Sequence, residues 1–176
     1  MALRPAAALL ATLAAFACDG GLEPEPTCGS GFVGACGTTH YAGTPPATTD
    51  AVFLVAFPTY PTSCSELLTF PPRFRPFPPF ELPLPYVDSA SYGLPLSPDR
   101  YEWIVAVWKD TGAITLTVAD TTKFRVAGQY RDPADTTRAG IVTVPSGGAV
   151  GGVDVVVDFD TLRSLRPVSD YVACGP

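Results

Sequence analysis

The sequence has one histidine, no asparagine, one glutamine (Gln129) and only two lysines, Lys109 and Lys123, among 176 residues. A single histidine cannot supply the two or more imidazoles of an ordinary zinc-enzyme site. It leaves His40 as the one candidate base for a Ser/His/Asp arrangement, and no G-x-S-x-G turn accompanies it. Basic residues are also few. Eleven Lys and Arg stand against 17 Asp and Glu, a formal charge of −6, without the clustered cations that phosphate binding needs. Nucleic acid is therefore excluded as a partner. Charged residues make up 16% and hydrophobic residues 47%, which separates the chain from disordered acidic tails and allows one domain with a real core. No stretch has a 3.6-residue apolar period, so amphipathic helices are missing too.

What is present begins at the N-terminus. Arg4 precedes an unbroken apolar run of 12 residues, Ala6 to Ala17. That length suits the hydrophobic region of a signal peptide, whereas a membrane-spanning helix needs about 20 residues. The run ends in Ala15-Phe16-Ala17-Cys18, which resembles a bacterial lipobox with a small residue on each side of the aromatic and Cys18 as the lipidated residue. Five cysteines leave one odd, and lipidation of Cys18 would leave an even four in an oxidising compartment. The alternative is an ordinary secretory signal cut after Ala17. The expected organisation is a signal peptide over 1–17, a Gly/Pro/Glu tether over 18–32, a domain over 33–160 and a tail over 161–176. Loss of Arg4 with the signal leaves a mature charge of −7. The expected localisation is the bacterial cell envelope, with the membrane engaged through the lipid anchor.

Cys28, Cys36, Cys64 and Cys174 lack C-x-x-C spacing, and two structural disulfides explain them better than a metal site. Of three pairings, Cys28–Cys36 with Cys64–Cys174 is preferred, the second pinning a tail that has no strand pattern. Each bridge would contribute roughly 2–4 kcal/mol.

The body alternates apolar and polar residues between turn signals, the mark of strands. Strands are expected at Ala35–Tyr41, Ala51–Phe57, Ser91–Leu96, Tyr101–Lys109, Ala113–Val118, Lys123–Tyr130, Gly140–Val144 and Gly152–Asp160. Ala51–Phe57 is apolar on both faces, as a centrally placed strand covered on both sides would be. In the last strand Val153, Val155, Val157 and Phe159 share one face and Asp154, Val156, Asp158 and Asp160 the other. Pro71–Tyr86 holds seven prolines in sixteen residues. Proline cannot donate to a ladder, so this segment belongs to a crossover between sheets, with an edge strand at Phe80–Leu84. Its aromatics Phe74, Phe77 and Phe80 either pack onto the body as a lid or present a binding surface. Trp103 and Trp108 fall on opposite faces of one strand, so at most one is expected in the core; the other is expected to be covered by the proline-rich lid, the alternative being an exposed platform for a sugar ring or a partner's apolar residue. Asp132-Pro133-Ala134-Asp135 and the Asp154/Asp158/Asp160 row are the only candidates for calcium, and carboxylates two apart on a strand diverge. No metal or cofactor is expected.

These features suit an all-β fold, a seven- to eight-stranded antiparallel Ig-like β-sandwich. Cys36-Gly37-Thr38-Thr39-His40-Tyr41-Ala42-Gly43, Ala51–Phe57, Tyr92-Gly93-Leu94-Pro95-Leu96-Ser97-Pro98-Asp99-Arg100-Tyr101, Gly128-Gln129-Tyr130 and Gly151-Gly152-Val153-Asp154 together resemble the transthyretin-like (carboxypeptidase regulatory-like) modules over roughly Val33–Asp160. The resemblance implies a hairpin at Tyr92–Tyr101 and a non-catalytic spacer, adhesive or binding role. The histidines and C-terminal Tyr-Arg-Gly-Ser of hydroxyisourate hydrolases are absent, since this chain ends Ala173-Cys174-Gly175-Pro176. The expected function is a non-catalytic structural or binding module of an envelope lipoprotein, with an envelope protein or glycan as partner. The alternatives are a small-ligand or glycan-binding module using the Pro-rich aromatic lid and, third, a hydrolase using acidic residues.

Overall fold

A computed structural model describes residues 28–63, 66–67, 72–113 and 123–164. The described chain is all-β, and most of its pairings are antiparallel. Among the described residues there are thirteen strands, several only two residues long, where seven or eight were expected for the whole domain.

Two larger sheets hold the core. In the first, β1 (Gly34–Ala42) pairs antiparallel with β4 (Ser89–Pro95) along one side. Its other side takes β11 (Ala149–Val150) and then β12 (Val155–Asp158), both parallel to it. The second is antiparallel throughout, in the order β13 (Arg163–Ser164), β7 (Phe124–Gln129), β6 (Trp103–Asp110), β2 (Thr49–Phe57), β3 (Arg75–Glu81). Two small ladders join β5 (Asp99–Tyr101) to β10 (Val142–Val144) and β8 (Arg131–Asp132) to β9 (Asp135–Ala139).

The period-2 reading of β2 explains its central place. Val52, Leu54 and Ala56 join Ile104, Ala106 and Trp108 of β6 in one apolar cluster with Tyr92, Leu94, Val155 and Val157 from the first sheet. Val55, Phe57, Trp103, Val105 and Val107 point the other way into a second cluster, which Leu67, Phe74 and Phe124 complete. The second sheet is thus covered on both faces, and both tryptophans are buried, Trp103 at 1% exposure and Trp108 at 4%. The expectation that at most one of them belongs to the core is corrected here, while Phe74 of the proline-rich segment joins Trp103 in the second cluster, in line with the expected cover. The segment that follows β2 folds back over the outer face, so neither face is left to water.

Along β12 the expected alternation holds. Val153, Val155, Val157 and Phe159 are buried, and Asp154, Val156 and Asp160 are exposed. The proline-rich segment lies at a sheet edge, as its missing N–H donors require. The edge strand is β3, several residues earlier than the expected Phe80–Leu84, and its register with β2 slips between Leu54 and Ala56. Ser97-Pro98 separates β4 from β5, but these two strands do not form the hairpin that the resemblance implied. β4 pairs with β1, whereas β5 pairs with β10, so the chain changes sheets at this point. The expected strand at Tyr101–Lys109 is interrupted at Glu102 for the same reason, its first residue, Tyr101, belonging to β5. The expected strand at Ala113–Val118 lies outside the described residues beyond Ala113.

Past Glu81 the ladder is finished by side chain and loop. Leu82 N–H donates to the Val52 carbonyl at 2.9 Å, and the Val52 N–H donates to the Tyr86 hydroxyl oxygen at 3.0 Å. Val52 is fully buried, so removing that acceptor strands a backbone donor. Tyr86→Phe is expected to cost about 1–2 kcal/mol, measured by urea denaturation, as for a buried group left without its partner. An unchanged midpoint would show that Val52 finds another acceptor.

Candidate functional site

The outer face of the second sheet ends in an open cleft of about 440 Å³. Its walls come from four separate stretches of chain. The turn after β2 brings Tyr60, the β5–β6 junction Arg100 and Glu102, the end of β7 Gln129, and the region from β9 onward Thr137, Arg138, Ala139 and Ile141. The junction is tied down locally, since Glu102 N–H donates to the Phe57 carbonyl at 2.9 Å. That bond fixes where β5 stops and lets Glu102 point back toward the turn.

The Glu102 carboxylate is fully engaged. Oε2 accepts the Tyr60 N–H at 3.0 Å, and Oε1 pairs with the Arg100 guanidinium. The Tyr60 N–H first, then Arg100, hold its carboxyl below the usual carboxylate range. The Tyr60 ring packs tilted on Trp103, centroids 5.1 Å apart, and Trp103 lies 5.3 Å from Phe57, so an aromatic column backs the Tyr60 wall of the cleft. Burial pushes the Tyr60 phenol up to about 12, with the Arg131 charge acting in the opposite sense. Beneath it the Trp103 indole N–H donates to Gln129 Oε1 at 2.9 Å. Asp135 receives the N–H and hydroxyl of Thr137 and pairs with Arg138 Nε at 3.2 Å; the Thr137 bonds hold its carboxyl low.

The residues singled out from the sequence are placed as follows. Phe74 is buried against Phe57, ring centroids 6.0 Å apart. Phe77 lies 6.2 Å from Phe74 but is 62% exposed. Phe80 is half-buried at the margin of the inter-sheet cluster. Trp108 donates its indole N–H to Thr49 Oγ1 at 2.8 Å. The structure therefore brings Phe74 and Trp103 into one cluster and leaves Trp108 in the other. Cys28 and Cys36 form a disulfide, Cα–Cα 5.6 Å. Cys18, Cys64 and Cys174 lie outside the described residues, as does the segment expected to be a signal peptide.

His40 is exposed on β1, opposite Ser89 and Val156. The acids on and around β12 serve nearby groups. Asp154 Oδ1 accepts the Thr38 N–H at 2.7 Å, and Asp158 accepts the Asp160 N–H and the Thr161 hydroxyl, both at 2.9 Å. Among the described residues no three His, Cys, Asp or Glu side chains are grouped as metal ligands.

Reading the sequence alone missed the cleft. Ser97-Pro98-Asp99-Arg100 is legible as a turn and Asp132-Pro133-Ala134-Asp135 as an acidic loop, yet nothing local shows that the chain beyond one meets the chain beyond the other.

Several buried phenols link stability to pH. Burial, then the Asp154 carboxylate, then Tyr130, push the Tyr92 phenol well above its ordinary 10.0. Its hydroxyl donates to the Val153 carbonyl inside the core. A phenol raised in the folded state stabilises fully below pH 10. That contribution is lost as pH rises from 10 toward the folded value, because the unfolded chain releases the proton first. Unfolding free energy is therefore expected to fall above about pH 10. Tyr92→Phe should reduce the slope by up to about 1.4 kcal/mol per pH unit, the value for one proton. Urea titrations at pH 9, 10 and 11 measure this, and equal slopes in the two proteins would refute it.

No family model matches the chain, and neither the curated proteins nor the solved structures yield a match.

Proposed function

We propose that this chain is a non-catalytic structural or binding module of a bacterial lipoprotein, held at the cell envelope by a lipid on Cys18. Its body is read as a transthyretin-like, Ig-like β-sandwich carrying the disulfides. The observation that carries the reading is the apolar run Ala6–Ala17 ending at Ala15-Phe16-Ala17-Cys18, in a chain whose cysteine count is odd. The fold reading is supported by two sheets that share one apolar cluster. A role without catalysis is supported by the state of the acids. Glu102, Asp135, Asp154 and Asp158 are each engaged by neighbouring donors, and among the described residues no three His, Cys, Asp or Glu side chains are grouped as metal ligands. The partner in this reading is an envelope protein or a glycan, in addition to the membrane.

Intact mass of the membrane-extracted mature protein, with and without reduction, tests the proposal. A diacyl or triacyl adduct on Cys18 and a gain of about four hydrogens on reduction are expected, from one lipidated and four disulfide-bonded cysteines. An unmodified chain starting elsewhere would overturn the anchor. Free thiols at the other four cysteines would overturn the oxidised compartment.

A second reading, a small-ligand or glycan module using the proline-rich lid, is favoured by one observation, the exposed ring of Phe77 above buried Phe74. Phe77→Ala should then abolish glycan retention on an array of envelope polysaccharides while leaving the urea midpoint unchanged.

A further inference from the structure

We infer that the cleft beside Tyr60 is a binding site for a small carboxylate-bearing ligand of about the size of a sugar acid. This inference is independent of the lipid anchor and lies on a different surface from the proline-rich lid. The open cleft, about 440 Å³, has room for a small ligand.

The chemistry follows from which polar atoms are already used. Glu102 is the one carboxylate in the lining, and both its oxygens are taken, by Arg100 and by the Tyr60 N–H. Two guanidiniums line the same cleft, each paired with one carboxylate, Arg100 with Glu102 and Arg138 with Asp135, and the charge of Arg131 also acts on Tyr60. Arg100 uses one terminal nitrogen on Glu102, and Arg138 uses Nε on Asp135, leaving the other N–H groups of each open. Gln129 adds two more donors. An indole N–H can only donate, so the Gln129 atom that meets Trp103 is its oxygen, and its amide NH₂ is left over. The cleft is therefore rich in unused donors and has spent its carboxylate acceptors. An anion carrying further acceptors satisfies it, and a cation does not.

The remaining walls set the ligand's shape. The Tyr60 ring is braced by Trp103, and Ile141 is 54% exposed at the rim. These apolar surfaces suit the C–H face of a saturated ring or a short aliphatic chain, while the guanidiniums take the carboxylate. A uronic acid and an acidic amino-acid derivative share this chemistry.

Calorimetric titration of the full chain with D-glucuronate, N-acetyl-aspartate and D-glucose tests the inference. Binding of either acid but not of glucose is expected, and whichever acid binds more tightly identifies the source as saccharide or peptide. Arg138→Gln should weaken that binding about tenfold, the loss of one charge-assisted contact. Arg138 is an exposed side chain, so the variant should fold normally. Arg163→Gln, a change on β13 outside the lining, should leave binding unchanged. Failure of both acids to bind, equal binding of glucose, or equal losses in the two variants would overturn the inference.

Discussion

Trp103→Ala is expected to destabilise the protein by about 3–5 kcal/mol, the cost of removing a large aromatic from a packed site. The ring is 1% exposed and touches Phe57 at 5.3 Å and Tyr60 at 5.1 Å, with its N–H on Gln129. Truncation leaves a cavity under the Tyr60 turn and frees Gln129 from its donor, so the loss combines apolar transfer with an interrupted polar contact. Phe77→Ala, on the same side of the sheet but 62% exposed, should change stability by no more than about 0.5 kcal/mol. Urea denaturation of the two variants makes the comparison. A cost near that of Phe77→Ala would mean that the outer face of the second sheet is not a packed core. The same variant should also lose the cleft's ligand, because Tyr60 and Gln129 would both lose their support.

Gly128→Ala should cost about 3 kcal/mol, the upper part of the range for overpacking. Gly128 lies in β7 where β12 passes closest, and a Cβ there would run into the Val156 carbonyl oxygen. The obstacle is backbone rather than the end of a side chain, so one strand must move. Next to it, Tyr130 bridges to Val155. The approach thus joins the second sheet to the last strand of the first, and a methyl group wedged into it strains that joint. Gly29→Ala is the matched control, since nothing lies within 4 Å of its Cβ position; it should stay within about 0.5 kcal/mol. A lower urea midpoint at unchanged m, with faster amide exchange in β12, is the expected signature. If Gly128→Ala and Gly29→Ala behave alike, β12 is not pressed against β7 in solution.

Much of the strand content was legible because strand signals are local. Side chains alternate every residue, so the Val153/Val155/Val157/Phe159 face and the two apolar faces of Ala51–Phe57 can be read from neighbours in the chain. The placement of the proline-rich segment at an edge follows from a property of each proline, the missing N–H, and needs no knowledge of the rest of the fold. The disulfide between Cys28 and Cys36 spans only eight residues, and its preferred pairing agrees with the structure.

The misses have a common origin. The sequence placed Trp103 and Trp108 on opposite faces, but whether both faces are covered depends on the chain after β2 folding back to lay Tyr60, Leu67 and Phe74 over the outer one. Ser97-Pro98 was legible as a break, but not as a change of sheets, because the partner of β5 is β10, some forty residues later in the chain. Parallel pairing of β1 with β12, which brings Thr39 beside Val155, joins opposite ends of the described chain and leaves no local mark.

By itself, then, the sequence determined that this chain builds strands, which faces of them are apolar, and where proline forbids a central position. These are properties of residue types and short-range geometry. The tertiary structure alone decided which strands meet, that both tryptophans are enclosed, and that Tyr60, Arg100, Glu102, Gln129 and Arg138 converge on one cleft. Apolar burial drives the sheets together without regard to distance along the chain. The polar residues carried on their connecting turns are gathered as a consequence, and no local pattern in the sequence encodes that gathering.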